Sequence, residues 1–197
     1  MEIVFIRHGQ TDLNKTGKVQ GAEIDKPLNA AGRAGAAKSA ARFDPTEFRA
    51  CFVSPLKRAK QTAAFFTKNT LPLQFDERLK EMDYGNWDGE SVADLMRKYP
   101  DGFDAWGNIV DAYAKHATGG ESFAELEERG LEFVHDLQKK YGQDKVLVVS
   151  HGATIRALTA ALLGSSPKAF QQMHNCGLTK FSIKDGCARL VYYDKVL

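Results

Sequence analysis

Short apolar runs punctuate the chain at wide intervals, and each is followed by a polar or glycine-bearing segment. Ile3-Val4-Phe5-Ile6 is four consecutive apolar residues rich in β-branched and aromatic types. Val146-Leu147-Val148-Val149 repeats the figure near the other end. Runs of this length without alternation predict strands covered on both faces, as in the interior of a parallel sheet. Ala50–Val53 predicts a further short strand and Leu73–Phe75 an edge strand. Thr179–Ile183 and Arg189–Tyr193, joined through Lys184-Asp185-Gly186, predict a terminal hairpin.

Between the strands the period lengthens to that of helices. Asn29 is a suitable N-cap for an alanine-rich helix reaching about Phe43. Ser54-Pro55 predicts a second helix start, serine as cap and proline in the first helical position. Ser122-Phe123-Ala124-Glu125 spells a capping box. The helix it opens carries Phe123, Leu126, Phe133, Val134, Leu137 and Tyr141 on one stripe, with His135 off it. A last helix runs from Ala153 to Leu163 and stops at Gly164. Strands alternating with helices predict an α/β fold, a three-layer αβα sandwich on a mostly parallel sheet. The whole of 1–197 reads as one domain, with short helices and aromatics from Ser91 to about Tyr113 marking an insertion or lid around 83–120.

Two of the predicted buried strands end alike, in Arg7-His8-Gly9 and Ser150-His151-Gly152. Ligands of open α/β sheets bind beyond the carboxyl ends of the strands. The two histidines are therefore predicted to face one pocket. Asn14 and Gln20 lie in the polar segment Gln10–Leu28, predicted as a loop over that end. In the helix after Ser54, Lys57, Arg58 and Lys60 crowd the first turn. The helix dipole disfavours each cation there by roughly 0.3–1 kcal/mol. A bound anion would remove that conflict for Arg58, while Lys57 and Lys60 suit a solvated face.

Composition narrows the setting. The chain has 197 residues, 43% apolar and 26% charged, with 27 basic against 25 acidic groups. A net charge of +2 without a basic stripe argues against a nucleic-acid partner. No apolar stretch reaches membrane-spanning length and no signal-type leader precedes the first strand, so a cytoplasmic location is expected. Cys51, Cys176 and Cys187 show no metal-type spacing and read as reduced structural thiols.

Five ordered stretches together resemble the histidine phosphatase superfamily, the phosphoglycerate-mutase-like proteins. They are Arg7-His8-Gly9-Gln10-Thr11 with Asn14, Pro27-Leu28, Ser54-Pro55-Leu56-Lys57-Arg58-Ala59-Lys60-Gln61-Thr62, Leu79-Lys80-Glu81 through Gly89, and Ser150-His151-Gly152. The resemblance spans nearly the whole chain. It implies a phosphomonoesterase that acts on small phosphorylated metabolites through a phosphohistidine. His8 would be the nucleophile and Glu81 the acid that protonates the leaving alcohol. Arg7, Arg58 and His151, with Asn14, Gln20 and Gly152, would hold the phosphate. Met82, Asp83, Tyr84, Trp87 and the Trp106 region would shape the leaving-group side. No metal or cofactor is implied, and two histidines without a third ligand at recognisable spacing make no metal site. The short chain and Tyr84-Gly85-Asn86-Trp87-Asp88-Gly89 favour phosphatase over mutase. The alternatives are a cofactor-dependent phosphoglycerate mutase, a protein-directed phosphatase, or a non-catalytic phosphate-binding regulator. Oligomeric state is left open.

Overall fold

The computed structural model describes residues 1–197. A six-stranded sheet runs through the middle in the order β3-β2-β4-β1-β5-β6. Its strands are β1 (Glu2–Arg7), β2 (Ala50–Val53), β3 (Leu73–Phe75), β4 (Lys145–Ser150), β5 (Leu178–Lys184) and β6 (Cys187–Lys195). β1 to β4 are mutually parallel where they pair, and the β5–β6 hairpin joins antiparallel to β1. The six helices are α1 (Asp12–Lys15), α2 (Ala30–Ala40), α3 (Lys57–Thr67), α4 (Val92–Lys98), α5 (Phe123–Tyr141) and α6 (Gly152–Leu162).

The apolar runs are continuous because the central strands bury both faces. Along β1, Ile3 and Phe5 join one core with Phe133, Leu137, Ile155 and Leu158 of α5 and α6. Val4 and Ile6 point the other way, into a second core with Ala36 of α2 and Ala59, Ala63 and Phe66 of α3. β2 and β4 divide their side chains in the same fashion, as the two-residue period of a strand requires. Alanines on α2 and α3 let those helices lie close to each other and to the sheet. The arrangement is the αβα sandwich expected from the pattern.

Three local expectations need correction. The segment Gln10–Leu28 is not wholly loop: Thr11 and Asn14 form a reciprocal capping box around the one-turn α1. The alanine-rich helix starts after its Asn29 cap but ends at Ala40 rather than Phe43. Ser54-Pro55 does not open α3, which begins at Lys57 behind Leu56 with no side-chain cap. The Ser54 hydroxyl instead accepts a 2.7 Å hydrogen bond from His151 Nε2 and a longer one, 3.4 Å, from the Leu56 amide.

Residues 83–120 pack a third apolar cluster against the ends of α5 and α6. Its centre is Trp87, 2% exposed, stacked between Tyr99 and Phe103 with Tyr113 edge-on. Trp106, placed by sequence beside the leaving-group side, is instead 80% exposed. Asp104 Oδ1 accepts from the amides of Trp106 and Asn108, and this turn sends the indole to solvent while Gly107, Asn108 and Ile109 face the cleft described below. Replacing Trp87 with alanine is expected to cost about 3–5 kcal/mol in urea unfolding, the range for emptying a large buried aromatic site. A loss under 1 kcal/mol would mean that the cluster contributes little to the stability of the domain.

Candidate active site

Register brings the two histidines together. Arg7 of β1 pairs with Ser150 of β4, so the next residues, His8 and His151, leave adjacent parallel strands side by side. Their ring centroids lie 5.1 Å apart. β2 flanks β4 on its other side and delivers Ser54 to the same edge. The glycine after His8 is required by close approach, and the one after His151 lies tight against Arg7. A Cβ on Gly9 would sit 2.9 Å from the Gly32 carbonyl, and one on Gly152 would press within 3.1 Å of Arg7 Nε.

The tautomers follow from the hydrogen bonds. His8 Nδ1 lies 2.7 Å from the Gly9 carbonyl, an acceptor only, so Nδ1 carries the proton and Nε2 keeps its lone pair. Burial, then the charges of Arg58 and Arg7, hold the His8 pKa well below its ordinary 6.5. The ring is neutral at physiological pH, as a nucleophile requires. Thr62 of α3 fixes the turn by accepting from the Gly9 amide at 2.9 Å. In His151 the roles reverse: Nδ1 accepts from Arg58 Nε at 3.1 Å and Nε2 donates to Ser54. Burial first, then Arg58, also keeps His151 well below 6.5.

A cleft of about 410 Å³ opens over His8. Arg7, His8, Asn14, Gln20, Glu81 and Gly152 all line it, as expected from sequence. Arg58 and His151 do not. Both are fully buried one layer deeper. The Arg58 guanidinium also donates to the Ile24 and Gly21 carbonyls, and burial lowers its pKa to about 10, leaving it cationic at neutral pH. The first-turn cations of α3 thus separate by position. Lys57 pairs with Asp25 at the surface, Lys60 lies over the Phe75 ring, and Arg58 alone turns inward.

Two donors of residues lining the cleft lack partners. Arg7 Nη1 donates to the Met173 carbonyl, but its buried Nε has none. Gln20 accepts from Thr11 Oγ1 at 2.6 Å through Oε1, and its buried Nε2 has none. Buried donors without acceptors are costly, so their convergence marks a place built to receive an oxygen-rich anion. Glu81, 7% exposed, stands at the N-terminus of α6. Its carboxylate accepts from the amides of Met82, Ala153 and Thr154 and from Thr154 Oγ1. It caps the helix that His151 begins.

Sequence reasoning missed Thr154, Asn175 and Arg156. Asn175 donates to the His8 carbonyl at 3.0 Å from a loop without a local pattern, and nothing in the sequence signalled it. Arg156 had a visible signal, being the only charge inside an otherwise apolar helix. The two buried neutral histidines also set a pH dependence. Unfolded, each binds a proton as pH falls below about 6.5; folded, neither does, so stability falls with pH there by about 1.4 kcal/mol per unit for each ring. Asp88, pushed by burial up to about 6, keeps its proton in the fold and returns part of this. Urea unfolding is expected to show a net loss of about 2 kcal/mol between pH 7.5 and 5.5. Replacing both rings with asparagine should abolish the loss and leave the smaller, opposite slope of Asp88, and a loss that persists would place its source elsewhere.

The profile of the histidine phosphatase superfamily, branch 1, matches residues 3–195. Phosphoserine phosphatase 1 of Hydrogenobacter thermophilus is 29% identical over 93% of this chain and 85% of its own. Glucosyl-3-phosphoglycerate phosphatase of Mycolicibacterium vanbaalenii is 36% identical over 82% and 74%. A phosphoserine phosphatase from Entamoeba histolytica, solved with phosphoserine, superposes with a TM-score of 0.82 at 27% identity, covering 98% of this chain and 96% of that one. The two neutral imidazoles at adjacent strand ends, the unpartnered donors above them and these relatives agree: the chain belongs to the histidine phosphatase superfamily, branch 1, as one of its phosphatases.

Proposed function

We propose that the protein hydrolyses small phosphomonoesters in two steps, with His8 Nε2 as nucleophile. The observation that carries this is the His8 tautomer, which leaves a lone pair free on Nε2 beside a cleft where Arg7 Nε and Gln20 Nε2 lack acceptors. Nε2 attacks phosphorus as the ester oxygen departs, and Glu81, entering this step as the protonated acid, passes its proton to that oxygen and is left as the carboxylate. The Nδ1–H bond to the Gly9 carbonyl stabilises the positive charge that the ring gains. Arg7, with Asn14 and Gln20, meets the phosphate oxygens. Asn14 suits this because its Oδ1 is already an acceptor for Thr11 and Asn175, leaving its amide donor for the ligand. Arg58 has three of its five N–H groups engaged, and its charge, with His151, supports the phosphoryl group from behind. Water then attacks the phosphohistidine, with Glu81 taking its proton, and phosphate leaves. Covalent catalysis of this kind splits one hard displacement into two easier ones. The relatives named for phosphoserine and glucosyl-3-phosphoglycerate support small phosphorylated metabolites as substrates.

A brief pulse with a phosphomonoester labelled on phosphorus, quenched in base, tests the reading. An acid-labile, base-stable label on the protein, with free phosphate accumulating, is the expected outcome. Label passing to added phosphoglycerate with little phosphate released would make the protein a mutase. No label and no turnover would refute the covalent route.

A further inference from the structure

Glu81 has one hydrogen-bond partner that can turn away. Its two oxygens are unequally served. Oε1 accepts from the Met82 and Thr154 amides and lies 3.0 Å from Thr154 Oγ1, whereas Oε2 accepts only from the Ala153 amide, at 3.2 Å. The proton of the neutral acid therefore sits on Oε2, which has fewer donors turned toward it. The three amides are fixed by the main chain. The Thr154 hydroxyl is free to rotate about its Cβ–Oγ1 bond.

That hydroxyl has a choice of acceptors. Thr154 is 2% exposed and does not line the cleft. Its Oγ1 lies 2.7 Å from the Lys80 carbonyl as well as beside Glu81. A hydroxyl has one hydrogen to give, so the two bonds are alternatives. While Glu81 is neutral, the shorter contact, to the Lys80 carbonyl, takes the hydrogen. Once Glu81 is ionised, the carboxylate is the stronger acceptor and draws the hydrogen to Oε1. The Lys80 carbonyl is not stranded by that turn, because Arg129 Nη1 donates to it at 3.0 Å. Arg129 is in turn held by the Glu121 carboxylate and the Arg78 and Glu81 carbonyls, so that all five of its N–H groups are engaged. Neither position of the hydroxyl leaves a buried acceptor unpaired.

We infer that Thr154 is a positioning residue whose hydroxyl turns from the Lys80 carbonyl to Glu81 Oε1 as the acid gives up its proton, stabilising the carboxylate that forms. This rests on Glu81 being the acid of the phosphatase reading above. In the first step the proton passes from Oε2 to the ester oxygen as its bond to phosphorus breaks. Charge appears on the carboxylate, and the hydroxyl meets it. In the second step water gives its proton to Oε2 and the hydroxyl turns back. The switch therefore speeds phosphoenzyme formation and gives no help to phosphoenzyme hydrolysis, where the carboxylate is consumed.

Thr154→Val keeps the shape and the amide of Thr154 and removes only the hydroxyl. Single-turnover kinetics with glycerol 3-phosphate should show phosphoenzyme formation slowed about 10–100-fold, the effect of losing one hydrogen bond to a charged group. Hydrolysis of the phosphoenzyme should stay within about twofold of the natural rate, and nitrophenyl phosphate, whose leaving group needs no proton, should slow by about threefold at most. Thr154→Ser should restore most of the lost rate. In a Glu81→Gln protein, adding Thr154→Val should cost about twofold or less, since the partner it serves is gone. Equal slowing of both steps or both esters, no rescue by serine, or an undiminished effect in the Glu81→Gln protein would overturn the inference. Thr154→Ala replaces the valine variant if urea unfolding shows that variant to be unfolded. Turnover by the natural protein with no change in Thr154→Val would sink the inference and leave the phosphatase reading standing. A natural protein that hydrolyses neither ester would sink that reading, and the role of Thr154 with it.

Discussion

His8→Ala should lower kcat by about 10⁴-fold or more, because it removes the atom that forms the bond to phosphorus. The rest of the phosphate site does not depend on the imidazole. Arg7 is positioned by Met173 and Gly152, and Gln20 by Thr11. Phosphate or vanadate should therefore still bind the variant, with a dissociation constant within about tenfold of the natural one. Loss of turnover with binding kept separates a nucleophile from a structural histidine. A variant that retains more than a few per cent of kcat would require another nucleophile. The other imidazole is a poor candidate, since both His151 nitrogens are engaged, one by Arg58 and one by Ser54.

Glu81→Gln is expected to slow alkyl phosphates by about 10²–10⁴-fold, the usual contribution of a positioned acid. Nitrophenyl phosphate, whose leaving group departs without a proton, should slow far less. The difference matters because Glu81 has a second task. Its carboxylate accepts four hydrogen bonds, two of them from the first amides of α6. Glutamine would turn an NH₂ toward one of those donors and loosen the helix start for every substrate alike. Equal slowing of both ester classes would therefore assign Glu81 to capping and remove it from proton transfer. Single-turnover measurement of phosphoenzyme formation with the two esters gives the answer directly.

The strands, the layers and six of the cleft-lining residues, Arg7, His8, Asn14, Gln20, Glu81 and Gly152, are legible in the sequence. Four-residue apolar runs are legible as doubly buried strands because strand sterics and burial act on neighbouring residues. The Ser122–Glu125 box was legible for the same reason, since both of its hydrogen bonds close within four residues. His8 and His151 could be paired from sequence because each ends such a strand.

The tertiary structure decided depth and partnership. Ser54 reads locally as a helix cap, yet its hydroxyl serves a histidine 97 positions away, and α3 starts at Lys57. Arg58 reads as a phosphate ligand, yet it is fully buried behind the cleft, held by His151 and the Gly21 and Ile24 carbonyls. The Trp106 region reads as part of the leaving-group side; Gly107, Asn108 and Ile109 do line the cleft, while the turn at Asp104 leaves the indole itself in solvent. For Ser54 and Arg58 the deciding contacts join residues distant in the chain. Such contacts are set by strand register and by how helices seat on the sheet, which depend on the whole packed core rather than on any window of sequence.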